Sequence, residues 1–242
     1  MNFVKTGILA ALIALASPAA MATIIDFEGY NAGTIVDDEY LASHGISFNG
    51  VNNVRNADNL AVIFDTEDVT GGDFDLGAPF VNHNDNVGGF MPGNVLIIHE
   101  YEGINANGED DCNGVTCKDP DDEGTWNAGY FDITFSAATT LNSIDFFDIE
   151  ISEANRTNDR NLISLFDENG AEISPQTFYT PNTGGNNKWT RLDFNTSGVY
   201  SMRIKLKGSG AIDNINYTQV PEPSTFVIFS LALLGLVSRK LK

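Results

Sequence analysis

Apolar and polar residues alternate in short runs along most of this chain, and this alternation constrains its fold more than any other feature. In residues 202–207, Met, Ile and Leu alternate with Arg and Lys, and residues 131–135 and 190–194 follow the same pattern. Successive side chains of a β-strand point to opposite faces, so each run predicts a strand with one buried and one wet face. Because helical periodicity is hard to find after residue 22, we expect an all-β chain.

Turn residues separate these runs and set the number of strands. Asn169-Gly170 lies between Leu162–Phe166 and Ala171–Phe178, which predicts a hairpin. Further strands are predicted at Ile24–Phe27, Ile46–Phe48, Leu60–Phe64, Val95–His99, Ser143–Ile151 and Ile212–Tyr217. About ten short strands with turn-rich connections are typical of a two-sheet β-sandwich, and we predict a jelly roll.

Two long segments are not predicted to form strands, residues 65–94 and residues 102–124. The first is rich in Gly, Asp and Asn, and the second is acidic and contains both cysteines. Loops of this length in a compact domain are usually functional or disordered. We expect the second segment to project from the sandwich.

The N-terminus has the pattern of a secretory signal peptide. Lys5 precedes an apolar stretch, Gly7–Ala16, and Ala20-Met21-Ala22 forms an A-x-A cleavage site. Cleavage after Ala22 removes residues 1–22 as the signal peptide. Residues 23–219 then form the body, whose length is ordinary for a single β domain.

Cys112 and Cys117 have four residues between them, and the chain contains no other cysteine. An exported protein meets an oxidising environment, so this spacing predicts a small disulfide loop. The alternative, a zinc site, needs further ligands, and no second cysteine pair exists to supply them.

The charge of the body is strongly negative. The chain has 13 Lys and Arg against 33 Asp and Glu. Residues 1–22 and 220–242 together hold four of the bases and one of the acids, which leaves 9 against 32, or net −23, in residues 23–219. Such a surface repels nucleic acid and anionic lipid, so we expect no nucleic-acid partner. It suits divalent cations, or it only keeps an exported protein soluble.

The segment 220–242 has three parts. Val220-Pro221-Glu222-Pro223-Ser224 comes first, an uncharged run from Ser224 to Ser238 follows, and Arg239-Lys240-Leu241-Lys242 comes last. The run has about 15 residues, whereas a full span needs roughly 20, so it predicts a short transmembrane helix. The cations favour the cytoplasmic leaflet.

This three-part tail resembles the PEP-CTERM sorting signal of bacterial envelope proteins. The match rests on Pro221, Glu222 and Pro223, on the run Thr225–Val237, and on the closing cations. The resemblance implies recognition by an exosortase-type membrane enzyme, cleavage near the Pro-Glu-Pro, and release or transfer of the preceding part. The protein is then expected at the cell envelope, anchored in the membrane before processing and at the outer surface or outside the cell afterwards. A plain C-terminal anchor is the alternative.

The two ends of the body carry a second resemblance. Ile25-Asp26-Phe27-Glu28-Gly29 and Ala211-Ile212-Asp213-Asn214-Ile215 resemble the terminal strands of carbohydrate-binding and MAM-like jelly rolls. The resemblance implies that the first and last strands are neighbours and that an acid on each holds a structural calcium ion. The implied ligands are Glu28 and Asp213, together with Asp26 and Asn214. The alternative is that these are solvated carboxylates at strand ends.

A second calcium site is predicted in the Gly-rich loop. Asp65 is followed by Asp73 and Asp75, and the glycines between them allow tight backbone turns around carboxylate ligands. A purely structural acidic loop is the alternative. The segment Asp119–Gly124 has acids where an EF-hand loop begins, but Tyr130 stands where the loop needs a bidentate Glu, so it is better described as an acidic turn.

The sequence contains no recognisable catalytic motif, and we expect a protein that is not an enzyme. The chain has three histidines, and none lies in a G-x-S-x-G or H-E-x-x-H motif. Trp126 and Tyr101 are candidate contacts for a glycan, with Trp189 and Tyr179 as further candidates, although such rings often serve packing. The favoured function is a calcium-binding surface protein associated with extracellular polysaccharide or biofilm matrix. A glycan hydrolase and a purely structural surface protein are the alternatives.

Overall fold

A computed structural model describes residues 21–104, 108–154, 159–173 and 177–219, which form eleven strands. Helix is limited in these residues to one turn, α1 (Leu41–His44), and a 3₁₀ turn at Phe74–Leu76. The all-β prediction is confirmed. The strands are β1 (Met21–Ile25), β2 (Ile46–Asn52), β3 (Ala61–Asp65), β4 (Phe80–Asn82), β5 (Gly88–Phe90), β6 (Asn94–Ile98), β7 (Gly129–Phe147), β8 (Leu162–Phe166), β9 (Phe178–Tyr179), β10 (Lys188–Leu206) and β11 (Ala211–Gln219).

The body forms one compact unit, Ala22–Thr218. Within the described ranges, no helix is long and apolar enough to cross a membrane. The predicted transmembrane segment in residues 220–242 lies outside those ranges, as does the predicted signal peptide up to residue 20.

The eleven strands belong to one hydrogen-bonded sheet, and seven of them follow the order β3-β6-β11-β7-β10-β4-β5. Beside this path, β1 pairs with β11, β2 with β7, and β8 with both β10 and β9. The long strands β7 and β10 have 19 residues each and run antiparallel, from the pair Trp189 and Phe147 to the pair Leu206 and Gly129. Their length lets one pair of strands take part in both layers of the fold.

The two layers are joined where β7 and β10 lose regular register, between Asp193 and Ser201. On one side of this irregularity, β2 pairs with β7 and β8 pairs with β10. On the other side, β4 pairs with β10 at Lys188 and Trp189. Bulges of this kind let a strand leave one layer and enter the other. The predicted two-layer sandwich is therefore confirmed, and its two layers are parts of one continuous hydrogen-bonded sheet.

The main core fills the space between the layers. Phe131, Ile133 and Phe135 of β7 are buried in it, as the alternation predicts, and so are Met202 and Ile204 of β10. Strands β2 and β6 are not hydrogen-bonded to each other, yet both contribute side chains to this core, Ile46 and Phe48 from β2 and Leu96 and Ile98 from β6. The strands that the alternating pattern predicts therefore have their apolar side chains in the core.

A second core lies on the outer face of the layer that contains β3 and β6. Val62 and Phe64 of β3 are fully buried there, although their neighbours Ala61 and Ile63 belong to the main core. The long loops cover this outer face with residues such as Cys117, which is buried. The prediction that residues 102–124 project from the sandwich is therefore wrong for the described part of the segment, because an apolar outer face requires a cover.

Gly50 marks a place where two backbone segments come close together. A Cβ atom at Gly50 would lie 2.6 Å from the carbonyl carbon of Leu60 and 2.7 Å from the Cα of Ala61. We expect Gly50→Ala to lower the free energy of unfolding by about 1–3 kcal/mol, since backbone must move to make room. Chemical denaturation measures this loss. Gly124→Ala is the control, because nothing lies within 4 Å of its Cβ position, and equal losses in both variants would contradict the prediction.

Candidate metal centres

The first and last strands of the body are neighbours, as the second resemblance implies. Strand β1 pairs with β11, which places Asp26 and Glu28, just after β1, near Asp213 and Asn214 of β11. Asp26 and Glu28 are exposed and flank Phe27, whose ring is fully buried and whose φ is 56°. Burial of that ring fixes the backbone between the two carboxylates. We call these four residues the terminal-strand site.

Asp213 is the buried member of the terminal-strand site, with 1% of its surface exposed. Its Oδ2 accepts a hydrogen bond of 2.8 Å from the side chain of Asn214, but its Oδ1 has no partner among the described residues. The pKa of Asp213 is raised to about 9, first by burial and then by the nearby carboxylates of Asp145 and Asp26, against an opposing hydrogen bond from the Asn214 backbone. The Arg191 guanidinium, which is paired with Asp145, also interacts electrostatically with Asp213 but does not bind its Oδ1.

Glu28 is held by the backbone of the neighbouring connection. Its Oε1 accepts a hydrogen bond of 2.7 Å from the backbone N–H of Asn94. Gly93 has a φ of 73°, and a Cβ atom at that position would overlap the Glu28 carboxylate. The glycine therefore leaves the space that this carboxylate fills.

Asp65 lies beside the terminal-strand site and not with Asp73 and Asp75, the residues with which the sequence prediction grouped it. A cleft of about 350 Å³ is lined by Glu28, Asp65 and Glu67, and an adjoining cleft of about 380 Å³ is lined by Asp26, Glu28 and Asn214. Strand pairing explains the position of Asp65 near Glu28. Asp65 is the last residue of β3 and pairs with Asn94, whose backbone N–H donates a hydrogen bond to Glu28.

Asp73 and Asp75 lie in a second acidic group. Carboxylate oxygens of Asp73, Asp121 and Asp122 lie within 4.8 Å of one another. The pKa of Asp73 is raised to about 10 by burial, by the charge of Asp122 and by a hydrogen bond with Asp75, in that order. Burial also raises the pKa of Asp148 to about 7, with the charge of Asp75 adding to the effect. We call these five residues the outer-face site.

Sequence reasoning missed three members of the outer-face site. Asp121 and Asp122 stood in the segment described as an acidic turn, and Asp148 follows β7 without any motif around it. Asp122 lies between two further acids, Asp121 and Glu123, and this acidic run is the sequence signal that points to it. In the structure, the segment returns to the sheet, where Asp122 forms a β-bridge with His99. No local pattern marks Asp148, because only the tertiary fold brings it to the others.

The predicted disulfide between Cys112 and Cys117 is confirmed. His99 lies near both sulfur atoms, but paired cysteines cannot act as thiolate ligands, so the zinc alternative does not apply. His99 is instead hydrogen-bonded through Nε2 to Asp111, at 2.9 Å.

The candidate glycan contacts have different surroundings. Trp126 is 57% exposed, and the ammonium group of Lys207 lies 3.6 Å from the centre of its ring. The hydroxyl of Tyr101 donates a hydrogen bond of 2.8 Å to Asp110, and its ring packs against the second core. Neither ring lines the acidic clefts described above.

Comparison with known proteins identifies the tail. Residues 219–241 match the family model of the PEP-CTERM protein-sorting motif. The chain carries a PEP-CTERM sorting signal. The predicted resemblance of the tail is therefore confirmed, and this motif implies an exported protein that is anchored at the membrane before an exosortase processes it.

A solved structure is weakly similar to part of this chain. A Streptococcus pneumoniae fucose binding module aligns with 40% of this chain and 67% of its own, at 18% sequence identity and a TM-score of 0.25. A likeness at this level carries no ligand or site across to the PEP-CTERM protein. No curated protein matches the chain.

Two cross-strand ion pairs, Arg191–Asp145 and Arg203–Asp132, test how much the burial of a carboxylate near the terminal-strand site affects stability. Arg191 makes two hydrogen bonds, of 2.7 and 2.8 Å, to the fully buried Asp145, whose charge also acts on Asp213. The Asp145 side chain is fully buried, whereas that of Arg191 is 50% exposed. We expect Arg191→Ala to destabilise the protein by about 2–3 kcal/mol, because it leaves a buried carboxylate without its hydrogen bonds and its counter-charge. Thermal and urea unfolding in chelator measure the loss.

Arg203 is the matched control for this experiment. It binds Asp132 with the same two-bond geometry, but both side chains are about one-third exposed, at 39% and 34%. Arg203→Ala should cost only about 1 kcal/mol because solvent screens the exposed pair. Equal costs for the two variants would show that burial of Asp145 is unimportant.

Proposed function

We propose that the body of this exported PEP-CTERM protein binds calcium at the terminal-strand site and associates with extracellular polysaccharide or biofilm matrix after exosortase processing, without enzymatic activity. The observation that supports the calcium site most strongly is Asp213, a buried carboxylate with an unpartnered oxygen beside two further acids. A carboxylate in such a place is stable as an anion only with a cation beside it.

The ligand atoms of the terminal-strand site suit calcium. Asp26, Glu28 and Asp213 supply carboxylate oxygens and Asn214 supplies an amide oxygen, and calcium takes six to eight oxygen ligands in flexible geometry. Asp26 and Glu28 are exposed, so water can complete the shell. Magnesium fits less well, because its small octahedral shell tolerates little deviation.

The body's charge supports a role for calcium in contacts with a matrix. Net −23 in residues 23–219 repels acidic polysaccharide, and bound divalent cations reduce that repulsion. The exposed ring of Trp126 is the best-placed stacking surface for a sugar among the four aromatic residues considered.

The sorting role has a direct test in the Pro-Glu-Pro signature. Glu222→Ala leaves the apolar run intact, so insertion should persist while processing stops, and an unprocessed membrane-bound form should accumulate. Immunoblots of membrane and released fractions measure this, and Glu168→Ala, an exposed residue of the β8 turn, is the control. Processing of the Glu222→Ala protein at the wild-type level would contradict exosortase recognition of the signature.

The calcium role has a direct test in thermal unfolding. Calcium bound only by the folded state stabilises it by about 3 kcal/mol at a hundredfold excess over Kd, which is several degrees in melting temperature for roughly 200 residues. We expect the full chain in detergent to melt higher in millimolar calcium than in chelator at matched ionic strength. Asp213→Asn and Glu28→Ala should reduce the increase.

The control for the calcium experiment is Asp58→Asn, which changes the net charge equally at an exposed position. It should keep the full calcium-dependent increase. A melting temperature that calcium raises equally in wild type, Asp213→Asn and Asp58→Asn would show that the terminal-strand site does not bind the ion.

A further inference from the structure

The outer-face site collects acids from three segments that are far apart in sequence. Asp73 and Asp75 lie at the 3₁₀ turn of the Gly-rich loop, Asp121 and Asp122 in the cysteine-containing segment, and Asp148 directly after β7. Three of these residues have carboxylate oxygens within 4.8 Å of one another, and Asp148 is close enough to act on Asp122. Folding therefore forces these like charges together.

Two buried oxygens in the outer-face site have no hydrogen-bond partner among the described residues. They are Oδ2 of Asp73, which is 8% exposed as a residue, and Oδ1 of Asp148, which is 1% exposed. Buried polar atoms are almost always hydrogen-bonded. The unpartnered oxygen of Asp73, which belongs to the group of three close carboxylates, therefore indicates a place for a ligand, and the unpartnered oxygen of Asp148 adds a second one in the same acidic region.

The protein supplies little compensation for this negative charge. Asp122 accepts a hydrogen bond from the backbone N–H of Gly210, and Asp148 accepts one of 3.1 Å from the hydroxyl of Ser209. The charges that act most strongly on Asp73, Asp122 and Asp148 are those of other carboxylates. A bound cation would supply the opposite charge.

The loops around the outer-face site are already fixed in position. The hydroxyl of Thr70 donates a hydrogen bond of 2.8 Å to the carbonyl of Pro120, which joins the two loops. Asn187 binds the carbonyls of Phe74 and Gly77, on either side of Asp75. This scaffold holds the carboxylates in place before any ligand arrives, which lowers the entropic cost of binding.

A glycine and a cleft give the site space and access. Gly71 has a φ of 64°, and a Cβ atom there would lie within 2.7 Å of the Asp121 carboxylate. Asp121 and Gly71 also line a cleft of about 350 Å³ together with His99 and Glu102. Asp121 therefore connects the buried oxygens to the surface, and an ion can enter along this path.

We propose that the outer-face site binds one calcium ion, which fastens both long loops over the second core. Asp73, Asp121 and Asp122 are the ligands whose carboxylate oxygens already lie within 4.8 Å of one another, and Asp75 and Asp148 complete the proposed set. Ligands made only of carboxylate oxygens favour a hard cation, and the count suits calcium better than magnesium or zinc. This site does not depend on the terminal-strand site, since the two share no residue.

Fastening the loops is the structural consequence of the bound ion. The loops contribute Leu76 and Cys117 to the second core, over Val62 and Phe64. Without the ion, repulsion between the carboxylates favours opening of the loops, and water gains access to this apolar surface. With calcium, amide hydrogen exchange in residues 65–79 and 108–124 should slow at least tenfold.

The test combines calcium binding with hydrogen exchange in the full chain in detergent. Asp73→Asn and Asp148→Asn keep the side-chain shape but remove charge, and asparagine tolerates the φ of 53° at position 148. Each variant should bind one calcium ion fewer per chain than wild type by isothermal titration with calcium chloride, and calcium should no longer slow exchange in the two loops. Asp58→Asn should match wild type in both measurements.

Asp213→Asn separates this proposal from the terminal-strand site. It should lose calcium at its own site but keep calcium-dependent protection of both loops. Wild-type calcium binding and loop protection in Asp73→Asn and Asp148→Asn would overturn the outer-face proposal, whatever Asp213→Asn does. Loss of binding in those two variants with no change in Asp213→Asn would support the outer-face site and overturn the terminal-strand site alone.

Discussion

The antiparallel pairing of β7 with β10 is the interaction on which the rest of the structure depends. The two strands pair along both layers. The register shifts in the middle of this pairing mark where the strands pass from one layer to the other. Strand β11 pairs with both β7 and β1, which brings Asp213 close to the residues that follow β1. Asp148 directly follows β7. Both candidate metal centres are therefore positioned by one pair of strands.

Both centres share a physical problem, which is that folding buries carboxylates beside other carboxylates. Asp213 in one centre and Asp73 and Asp148 in the other are buried and keep an unpartnered oxygen. Elsewhere the protein solves the same problem with arginine, as at Asp145 and Arg191. We propose that calcium supplies the additional positive charge at both centres, in a body that has 9 bases and 32 acids.

The sequence predicted the strands well because alternation is a local property, as Phe131, Ile133 and Phe135 show. It did not predict which segments of the chain pack over the outer face of β3. The run Ala61–Phe64 is apolar throughout, which signals burial on both faces without naming the segment that provides it. The same limit applies to the sites, since Asp26 and Asp213 belong to a recognisable pattern, whereas Asp148 reaches its partners only through tertiary contacts.

A crystal structure of the protein grown in calcium chloride tests the central claim most directly, with anomalous scattering to locate the ion. The account predicts anomalous density among Asp73, Asp122 and Asp148, and beside Asp213 with Glu28, each peak within about 2.3–2.6 Å of carboxylate oxygens. Well-ordered carboxylates at both centres, with no anomalous density between them at saturating calcium, would contradict it.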